Sequence, residues 1–259
     1  VRVKKHVLGT PSSEDELVYE EHDDSFYMGI GRTRDDKYIC IGVESTVSSE
    51  LRCAPAADPR EFTVLAPRER DVEYQADHLG GRWVIRTNAG GASNFKLVTA
   101  PTDATSRAQW TDLVPHRDEV YIEDYDLFDG FIAIGERSGG LERIRILRDG
   151  AEEFVAADED AYSMGLDVNS EPDTDWLRYG YTSMTTPETT LFHRRPPDGV
   201  VSGLGGLASA ARPSVGSVIS KVRSGADNAT PPFVSLRGMT RGTEPGFLGV
   251  AHRPFSPSE

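Results

Sequence analysis

The sequence predicts an all-β fold, namely a partial β-propeller of about four four-stranded blades followed by a poorly structured C-terminal tail. Three observations lead to this prediction. Short alternating or β-branched segments dominate the first 193 residues, where helical periodicity is scarce. A strand–turn–strand pattern recurs along this part of the chain, and the composition changes abruptly after it.

The repeat consists of four blocks, each with three strand candidates that are joined first by a tight polar turn and then by a short loop. The candidates are 26–32, 37–43 and 50–54 in the first block, 72–78, 82–87 and 94–99 in the second, 120–127, 131–136 and 141–147 in the third, and 163–168, 176–182 and 188–193 in the fourth. The turns, at 34–36, 79–81, 128–130 and 171–173, are rich in Gly and Asp, which supply the backbone geometry that hairpins need. Successive turns lie 45, 49 and 43 residues apart.

One further short strand is predicted beside each block. These strands are Leu17–Glu20, Phe62–Leu65, Gln109–Val114 and Glu152–Ala156. Four antiparallel strands every 40 to 50 residues is the period of a propeller blade, and such blades bury their faces by stacking around an axis. A β-sandwich with irregular loops is the competing interpretation. Four blades are few for a closed ring, so we expect that this chain is part of a larger propeller.

The change in composition divides the chain into a predicted blade domain, residues 1–193, and a low-complexity tail, residues 194–259. The tail contains 10 Gly and 8 Pro in 66 positions, is also rich in Ala and Arg, and lacks Tyr and Trp. A segment of this composition buries little apolar area, so we expect disorder or loose packing. A reading-frame shift near residues 191–196 would explain the change, with a lineage-specific linker or an artefact of preparation as alternatives.

The overall charge argues against two classes of partner. The chain has a formal net charge of −14 and a pI near 4.9, and no basic stripe is present for nucleic acid. No apolar run approaches the ~20 residues that a membrane-spanning helix needs. The N-terminal segment VRVKKHVLGTPSSEDE lacks the apolar core of a signal peptide. We therefore predict a soluble, cytoplasmic protein that binds neither nucleic acid nor membrane.

The two cysteines, Cys40 and Cys53, fall in neighbouring strand candidates. If 37–43 pairs with 50–54 across the intervening loop, these residues face each other, close enough for a disulfide. In a cytosolic protein, however, two reduced thiols are the favoured state.

Two groups of charged residues are candidate functional positions. The first, Glu20, Glu21, Asp23 and Asp24, is the densest acidic cluster and could attract basic peptides, although a solvated loop between blades is the more common use of such residues. The second, Glu136 and Arg137, ends a predicted strand and could form an ion pair with a neighbouring blade or a neighbouring domain.

The sequence contains no recognisable catalytic, metal or cofactor motif. No G-x-S-x-G nucleophile elbow occurs, and the nearest string, residues 91–94, is followed by Phe95 where glycine is required. The six histidines show no His-x-x-x-His spacing for zinc. A G-x-G-x-x-A string at 203–208 lacks the βαβ context of a nucleotide site. We therefore predict no catalytic residue, no metal and no cofactor in this chain.

Several particular strings occur in a fixed order along the first 193 residues. They are LGTPSSEDELVYEEHDDSFYMGIGRTRDDKYICI at 8–41, STVSSE at 45–50, LAPRERDVEY at 65–74, TNAGGASNFKL at 87–97, LVPHRDEVYIEDYDLF at 113–128, ERSGGLERI at 136–144 and LRYGYTSMTTPETT at 177–190. In these strings the chain resembles the oligopeptidase B group of the prolyl oligopeptidase family of serine peptidases.

This resemblance implies a seven-bladed propeller joined to a C-terminal α/β-hydrolase domain, in which the propeller admits short peptides and excludes folded proteins. Oligopeptidase B hydrolyses such peptides after Arg or Lys. The expected partners are thus the hydrolase domain, which this chain lacks, and short basic peptides. We expect the chain alone to be inactive. A stand-alone propeller that binds a partner protein is the alternative, and a propeller glycosidase is a third interpretation.

Overall fold

The computed structural model describes residues 1–194, which form seventeen β-strands and no α-helix. The strands are β1 (Arg2–Lys5), β2 (Glu16–Glu20), β3 (Tyr27–Arg32), β4 (Tyr38–Glu44), β5 (Ser49–Pro55), β6 (Thr63–Val64), β7 (Tyr74–Leu79), β8 (Arg82–Thr87), β9 (Lys96–Pro101), β10 (Thr111–Val114), β11 (Tyr121–Phe128), β12 (Phe131–Ser138), β13 (Leu141–Arg148), β14 (Ala151–Phe154), β15 (Tyr162–Leu166), β16 (Trp176–Ser183) and β17 (Thr189–Arg194). Single 3₁₀ turns lie at Ser12–Glu14 and Arg107–Gln109.

The strands form antiparallel sheets in which each strand pairs with the next one along the chain. Sheet 1 contains β3 to β6, sheet 2 contains β7 to β10, sheet 3 contains β11 to β14, and sheet 4 contains β15 to β17. A two-stranded N-terminal ribbon is made of β1 and β2. The observed strand ends differ from the predicted ones by at most two residues. The all-β fold and the order of the repeat are confirmed.

The structure assigns the predicted extra strands to sheets. The strands near 62–65, 109–114 and 152–156 complete sheets 1, 2 and 3, whereas Leu17–Glu20 pairs with β1 in the ribbon. Sheet 4 therefore has three strands within the described residues, because a fourth strand would have to follow β17. The predicted tail, residues 194–259, lies outside the described residues except for Arg194, which ends β17.

Consecutive sheets stack face to face, and each pair encloses its own apolar cluster. In sheet 2, Trp83 and Ile85 pack against sheet 1, whereas Val84 between them packs against sheet 3. In sheet 3, Ile134 faces sheet 2 and Ala133 faces sheet 4. All five side chains are at most 2% exposed. Because alternate residues of a strand point to opposite faces, one continuous apolar run covers both neighbours.

The sheets are arranged radially. The first strand of sheet 3, β11, contacts both β7 and β15, which are the first strands of the two neighbouring sheets. The first strands therefore converge on one side of the stack, which we call the inner edge, and the fourth strands lie outermost. A sandwich of two layers would not bring these strands together, so the structure is a partial propeller.

A disulfide joins Cys40 to Cys53. The register of β4 and β5 places the two residues directly opposite each other, with their Cα atoms 4.1 Å apart. This separation is typical of a non-hydrogen-bonded antiparallel pair, in which side chains lie closest. The predicted pairing is confirmed, but the expectation of reduced thiols was wrong, because the short separation brings the two sulfur atoms within bonding distance.

We predict that dithiothreitol destabilises the protein. Closing a loop of this length, with a sequence separation of 13, contributes about 3 kcal/mol to the free energy of unfolding in the chain-entropy account. Urea unfolding with and without the reductant measures the difference. A Cys40→Ala/Cys53→Ala double variant is the control and should be insensitive to reductant. Two titratable thiols in the unreduced, denatured protein would contradict the prediction.

Candidate functional site

Three aspartates lie on the first strands of sheets 2 and 3, at the inner edge. Asp77 on β7 and Asp126 on β11 occupy equivalent positions, three residues before the hairpin turns that begin at Gly80 and Asp129. Asp124, two residues before Asp126, is the third carboxylate. Sequence reasoning missed all three. No motif marks them, and only the equivalent spacing before the two turns could have drawn attention to them.

Hydrogen bonds anchor two of these carboxylates to neighbouring sheets. Oδ1 of Asp77 accepts the backbone N–H groups of Arg34 and His78, each at 2.7 Å. Oδ2 of Asp126 accepts Nδ2 of Asn169 at 2.9 Å. Since Arg34 belongs to the turn of sheet 1 and Asn169 follows β15, the inner edge is tied together across consecutive sheets.

The side chain of Arg34 extends these ties further. Its Nε donates to the carbonyl oxygen of Leu127 at 2.9 Å, and its guanidinium carbon lies 5.3 Å from the centroid of the Phe128 ring. The backbone N–H of the same residue bonds Asp77. A single residue in the β3–β4 turn thus contacts both of the following sheets.

Asp124 differs from its neighbours because its carboxylate forms no hydrogen bond or ion pair with the described residues. It lies after a bulge in β11 and opposite Gly135 of β12. A side chain at position 135 would collide with the Asp124 carboxylate, so the glycine provides the space that this group occupies. The sequence therefore leaves one carboxylate at the inner edge available for a ligand.

The pKa values of these groups are shifted upward. Loss of surrounding water, together with repulsion from Asp126 and Glu123, raises the pKa of Asp124 to about 6, although the residue as a whole remains exposed. Burial also raises the pKa of Asp77 and of Asp126, against the opposing effect of their hydrogen bonds. The inner edge consequently gains negative charge as the pH rises through about 6.

The predicted acidic cluster does not form one joint site. Glu20 is hydrogen-bonded to Nε of Arg2 at 2.6 Å. Asp23 accepts both the amide (3.0 Å) and the hydroxyl (2.6 Å) of Ser25, which fixes the bend before β3. Asp24 is exposed. The side chains that remain on the surface could still attract cations, but two of them already hold local structure.

Glu21, the fourth member of that cluster, is a structural residue. Its side chain is 4% exposed and accepts hydrogen bonds from Nη1 of Arg68 at 2.9 Å, from the Tyr19 hydroxyl at 2.8 Å and from the amide of Asp23 at 3.0 Å. Burial alone would raise the pKa of Glu21, but these hydrogen bonds outweigh it and hold the pKa at about 2. This carboxylate joins the end of β2 to the segment that leads into sheet 2.

Glu136 and Arg137 both form ion pairs, and their partners belong to sheet 3 or to the segment leading into it. Glu136 is 2% exposed and contacts Arg145 at 2.9 Å and Arg117 at 3.2 Å. Arg137 contacts Glu123, and it lies 3.7 Å from a second glutamate on β13. Neither pair joins two sheets. Contact with a neighbouring domain stays a prediction.

Within residues 1–194, no group of three or more His, Cys, Asp or Glu side chains is arranged to hold a metal ion. The same residues contain no helix that is long and apolar enough to cross a membrane.

Comparison with known proteins identifies the family. Residues 1–198 match the family described as "Prolyl oligopeptidase, N-terminal beta-propeller domain". The chain belongs to the prolyl oligopeptidase family. Dipeptidyl aminopeptidase BI of Pseudoxanthomonas mexicana is 71% identical over 190 residues, and Protease 2 of Moraxella lacunata is 30% identical over 189 residues. These matches cover 73% and 72% of this chain but 26% and 27% of the two relatives.

Solved structures of the family have the same arrangement of strands. Oligopeptidase B from Trypanosoma brucei, in a closed form with covalently bound antipain, superposes with a TM-score of 0.70 at 28% identity. Oligopeptidase B from Leishmania major gives a TM-score of 0.69 at 29% identity. Each match covers 74% of this chain and 29% of the solved chain. The sequence thus spans about a quarter to a third of the length of these proteins.

We predict that Glu21→Gln destabilises the protein by about 2 kcal/mol at pH 7, because Arg68 loses its charged acceptor. The folded pKa of Glu21, about 2, lies below its ordinary value. Its contribution is therefore fully present above about pH 4.5 and is lost as the pH falls toward 2. Urea unfolding across this range measures the difference. Asp24→Asn is the exposed control and should change stability little at any pH.

We predict that Asp124→Asn, in contrast to Glu21→Gln, stabilises the protein at neutral pH. Because the folded pKa of Asp124, about 6, is raised, the wild type loses stability as the pH rises from about 4 to 6, and the variant does not. Allowing for solvent screening, the variant should be about 1 kcal/mol more stable at pH 7.5, with no gain at pH 4. Thermal unfolding at both pH values tests this, and an unchanged midpoint at pH 7.5 would contradict it.

Proposed function

We propose that this chain is the propeller portion of an oligopeptidase B-like serine peptidase that hydrolyses short peptides after Arg or Lys. The observation that carries the proposal is the match of residues 1–198 to the N-terminal propeller of the prolyl oligopeptidase family. The resemblance to oligopeptidase B structures supports the finer assignment. In this proposal the parent protein continues into an α/β-hydrolase domain that carries the chemistry.

The hydrolase domain would supply a serine, a histidine and an aspartate. The serine attacks the peptide carbonyl while the histidine takes its proton and the aspartate orients the histidine, and water then hydrolyses the acyl-enzyme. Residues 1–259 contain no nucleophile elbow. The role of this chain is thus to limit access to the active site, so that an extended peptide reaches the serine and a folded protein does not.

The inner edge gives this access route a charge preference. Asp124 forms no hydrogen bond or ion pair with the described residues, Asp126 lies two residues further along the same strand, and Asp77 lies on the first strand of the neighbouring sheet. Their combined negative charge would favour Arg- or Lys-containing peptides at neutral pH. The exposed Asp24, with Glu20 and Asp23, would add a weaker attraction, as predicted from the sequence.

A second candidate function follows from the name of the 71% identical relative. A dipeptidyl aminopeptidase releases dipeptides from a free amino terminus, so its substrate carries an ammonium group instead of, or besides, a basic side chain. The inner-edge carboxylates would suit that group equally well. A third, non-catalytic possibility is a stand-alone propeller that binds a protein partner.

Three assays on two proteins separate these functions. The two proteins are the product of the complete coding sequence around this chain and the 259-residue chain by itself. Each is incubated with three substrates: an N-blocked arginyl chromogenic peptide, a dipeptidyl chromogenic substrate with a free amino terminus, and a folded protein rich in Arg. We expect the longer protein to cleave only the blocked peptide and the chain alone to cleave nothing.

The other outcomes assign the alternatives. Turnover confined to the free dipeptidyl substrate would favour the aminopeptidase. A coding sequence without a hydrolase domain, together with a stoichiometric partner in a pull-down, would favour the binding module. Turnover by the purified 259-residue chain, surviving further purification, would overturn the proposal.

A cytoplasmic location is also part of the proposal. It is in tension with the Cys40–Cys53 disulfide, because cytosolic thiols are ordinarily kept reduced. Thiol labelling in intact cells tests the location, because cysteines that are oxidised in the cell would contradict a cytoplasmic one.

A further inference from the structure

A cavity lies between sheets 2 and 3, beside the turns that join β7 to β8 and β11 to β12. Its volume is about 210 Å³. The floor of the cavity is apolar and buried, because Val84, Leu127 and Ile132 are each at most 6% exposed. Arg82 and Asp129 also line the cavity and are exposed, so they form its rim. The proposed peptidase function does not use this cavity.

Side-chain size explains why this part of the interface is not filled. In sheet 2, His78 and Trp83 form a cross-strand pair whose rings pack with Tyr38 of sheet 1. Leu127 and Ile132 form the equivalent pair in sheet 3, and they face sheet 2. Ile132 thus stands where sheet 2 has a much larger indole ring. The sequence of sheet 3 therefore leaves space that the preceding interface fills with aromatic rings.

The turn of sheet 2 also leaves the cavity open. Gly80 and Gly81 form this turn with φ values of 63° and 77°, which glycine adopts readily. Nothing lies within 4 Å of the position that a Cβ atom would take at either residue. The chain therefore reverses direction beside the cavity without covering it.

The rim of the cavity carries one positive and one negative group. Arg82 lies on the same face of sheet 2 as Val84, which packs against sheet 3. Asp129 begins the hairpin turn of sheet 3. The guanidinium and the carboxylate form no hydrogen bond or ion pair with each other or with any other described residue. Two unpaired groups of opposite charge thus flank an apolar floor.

We propose that this cavity binds a free amino acid or a dipeptide that carries an apolar side chain. The side chain would occupy the apolar floor. The ligand carboxylate would accept two hydrogen bonds from the Arg82 guanidinium, and the ligand ammonium group would donate to Asp129. An apolar cavity of about 150 Å³ accommodates benzene, so the volume here is sufficient for a side chain the size of leucine.

The two charges on the rim distinguish a zwitterion from other small apolar molecules. An apolar anion would pair with Arg82 but would bring a second negative charge toward Asp129. An apolar cation would meet the converse problem at Arg82. An uncharged molecule would gain only the contact with the floor. A zwitterion satisfies both charged groups, and no existing ion pair has to be broken to admit it.

A bound ligand would connect neighbouring sheets. Arg82 belongs to sheet 2 and Asp129 to sheet 3, and the backbone N–H of Asp129 donates to the carbonyl oxygen of Pro172 in the β15–β16 loop of sheet 4. The carbonyl oxygen of Leu127 accepts a hydrogen bond from Nε of Arg34 in sheet 1. Binding would therefore stabilise the folded stack. The site is independent of the proposed peptidase function, since all of its groups belong to the described blades.

Nuclear magnetic resonance titration of the ¹⁵N-labelled 259-residue chain at pH 7 tests the proposal with probes that differ in one feature. L-Leucine and glycyl-L-leucine have the apolar side chain and both charges. N-acetyl-L-leucinamide has the side chain without the charges, 4-methylpentanoate lacks the ammonium group, and glycine lacks the side chain. We expect one or both leucine zwitterions to shift the amide signals of Gly80 and Asp129, with at least about tenfold higher affinity than the other probes.

A second measurement is thermal unfolding with the same probes. A ligand that binds only the folded state, at ten times its dissociation constant, multiplies the folding equilibrium constant by about eleven. We expect this increase with the zwitterion that binds in the titration. Glycine at the same concentration is the control for effects of a zwitterion on the solvent.

Two variants locate the site. Arg82→Gln should weaken binding of the zwitterion by about tenfold, because the carboxylate loses its charged partner. Arg143→Gln changes an exposed arginine on β13 that does not line the cavity, and it should leave the affinity unchanged. Ile132→Trp places in sheet 3 the indole ring that sheet 2 has, and it should abolish binding by filling the cavity.

Three results would overturn the proposal. They are the absence of binding by both leucine zwitterions, equal binding of N-acetyl-L-leucinamide, and an unchanged affinity in Arg82→Gln. If Ile132→Trp does not fold, Arg82→Gln decides alone, since it changes only an exposed side chain.

Discussion

The fold depends on one constraint, which is that each sheet must bury both of its faces against its neighbours. Val84 and Ile85 are adjacent in the chain, yet they belong to apolar clusters on opposite sides of sheet 2. A single four-stranded sheet would leave both of these faces in water, at a cost of roughly 25 cal/mol for each Å² exposed. Stability is therefore a property of the stack, as in other repeat proteins.

Radial stacking of the sheets then determines which polar groups are brought together at the inner edge. First strands from successive sheets converge there, and so do the turns that follow them. Polar groups confined in this way must find partners, because an unsatisfied buried donor or acceptor is costly. Arg34, Asp77 and His78 find them across sheet boundaries. Asp124 does not, and this leaves a carboxylate without a hydrogen bond or an ion pair at the inner edge.

The acidic side chains thus fall into two groups with different roles, which the net charge of the chain does not distinguish. Glu21 and Glu136 are buried against arginines and hold connections in place. Asp124 is repelled by neighbouring carboxylates and keeps its charge only above about pH 6. The density of acidic residues along the sequence drew attention to the cluster that contains Glu21, whereas no sequence pattern drew attention to Asp124. The difference lies in partners that are distant in the sequence.

By itself, the sequence determined the strands of sheets 1 to 4, their order and the pairing of Cys40 with Cys53. Alternation of side chains and turn residues are local in the chain, so these features could be read directly. Only the tertiary structure decided which charged side chains are paired, that the two cysteines form a disulfide, and that Asp124 is left without a hydrogen bond. Arg34 reaches Leu127 over 93 residues. Contacts of that range depend on how the sheets stack, and no local pattern encodes them.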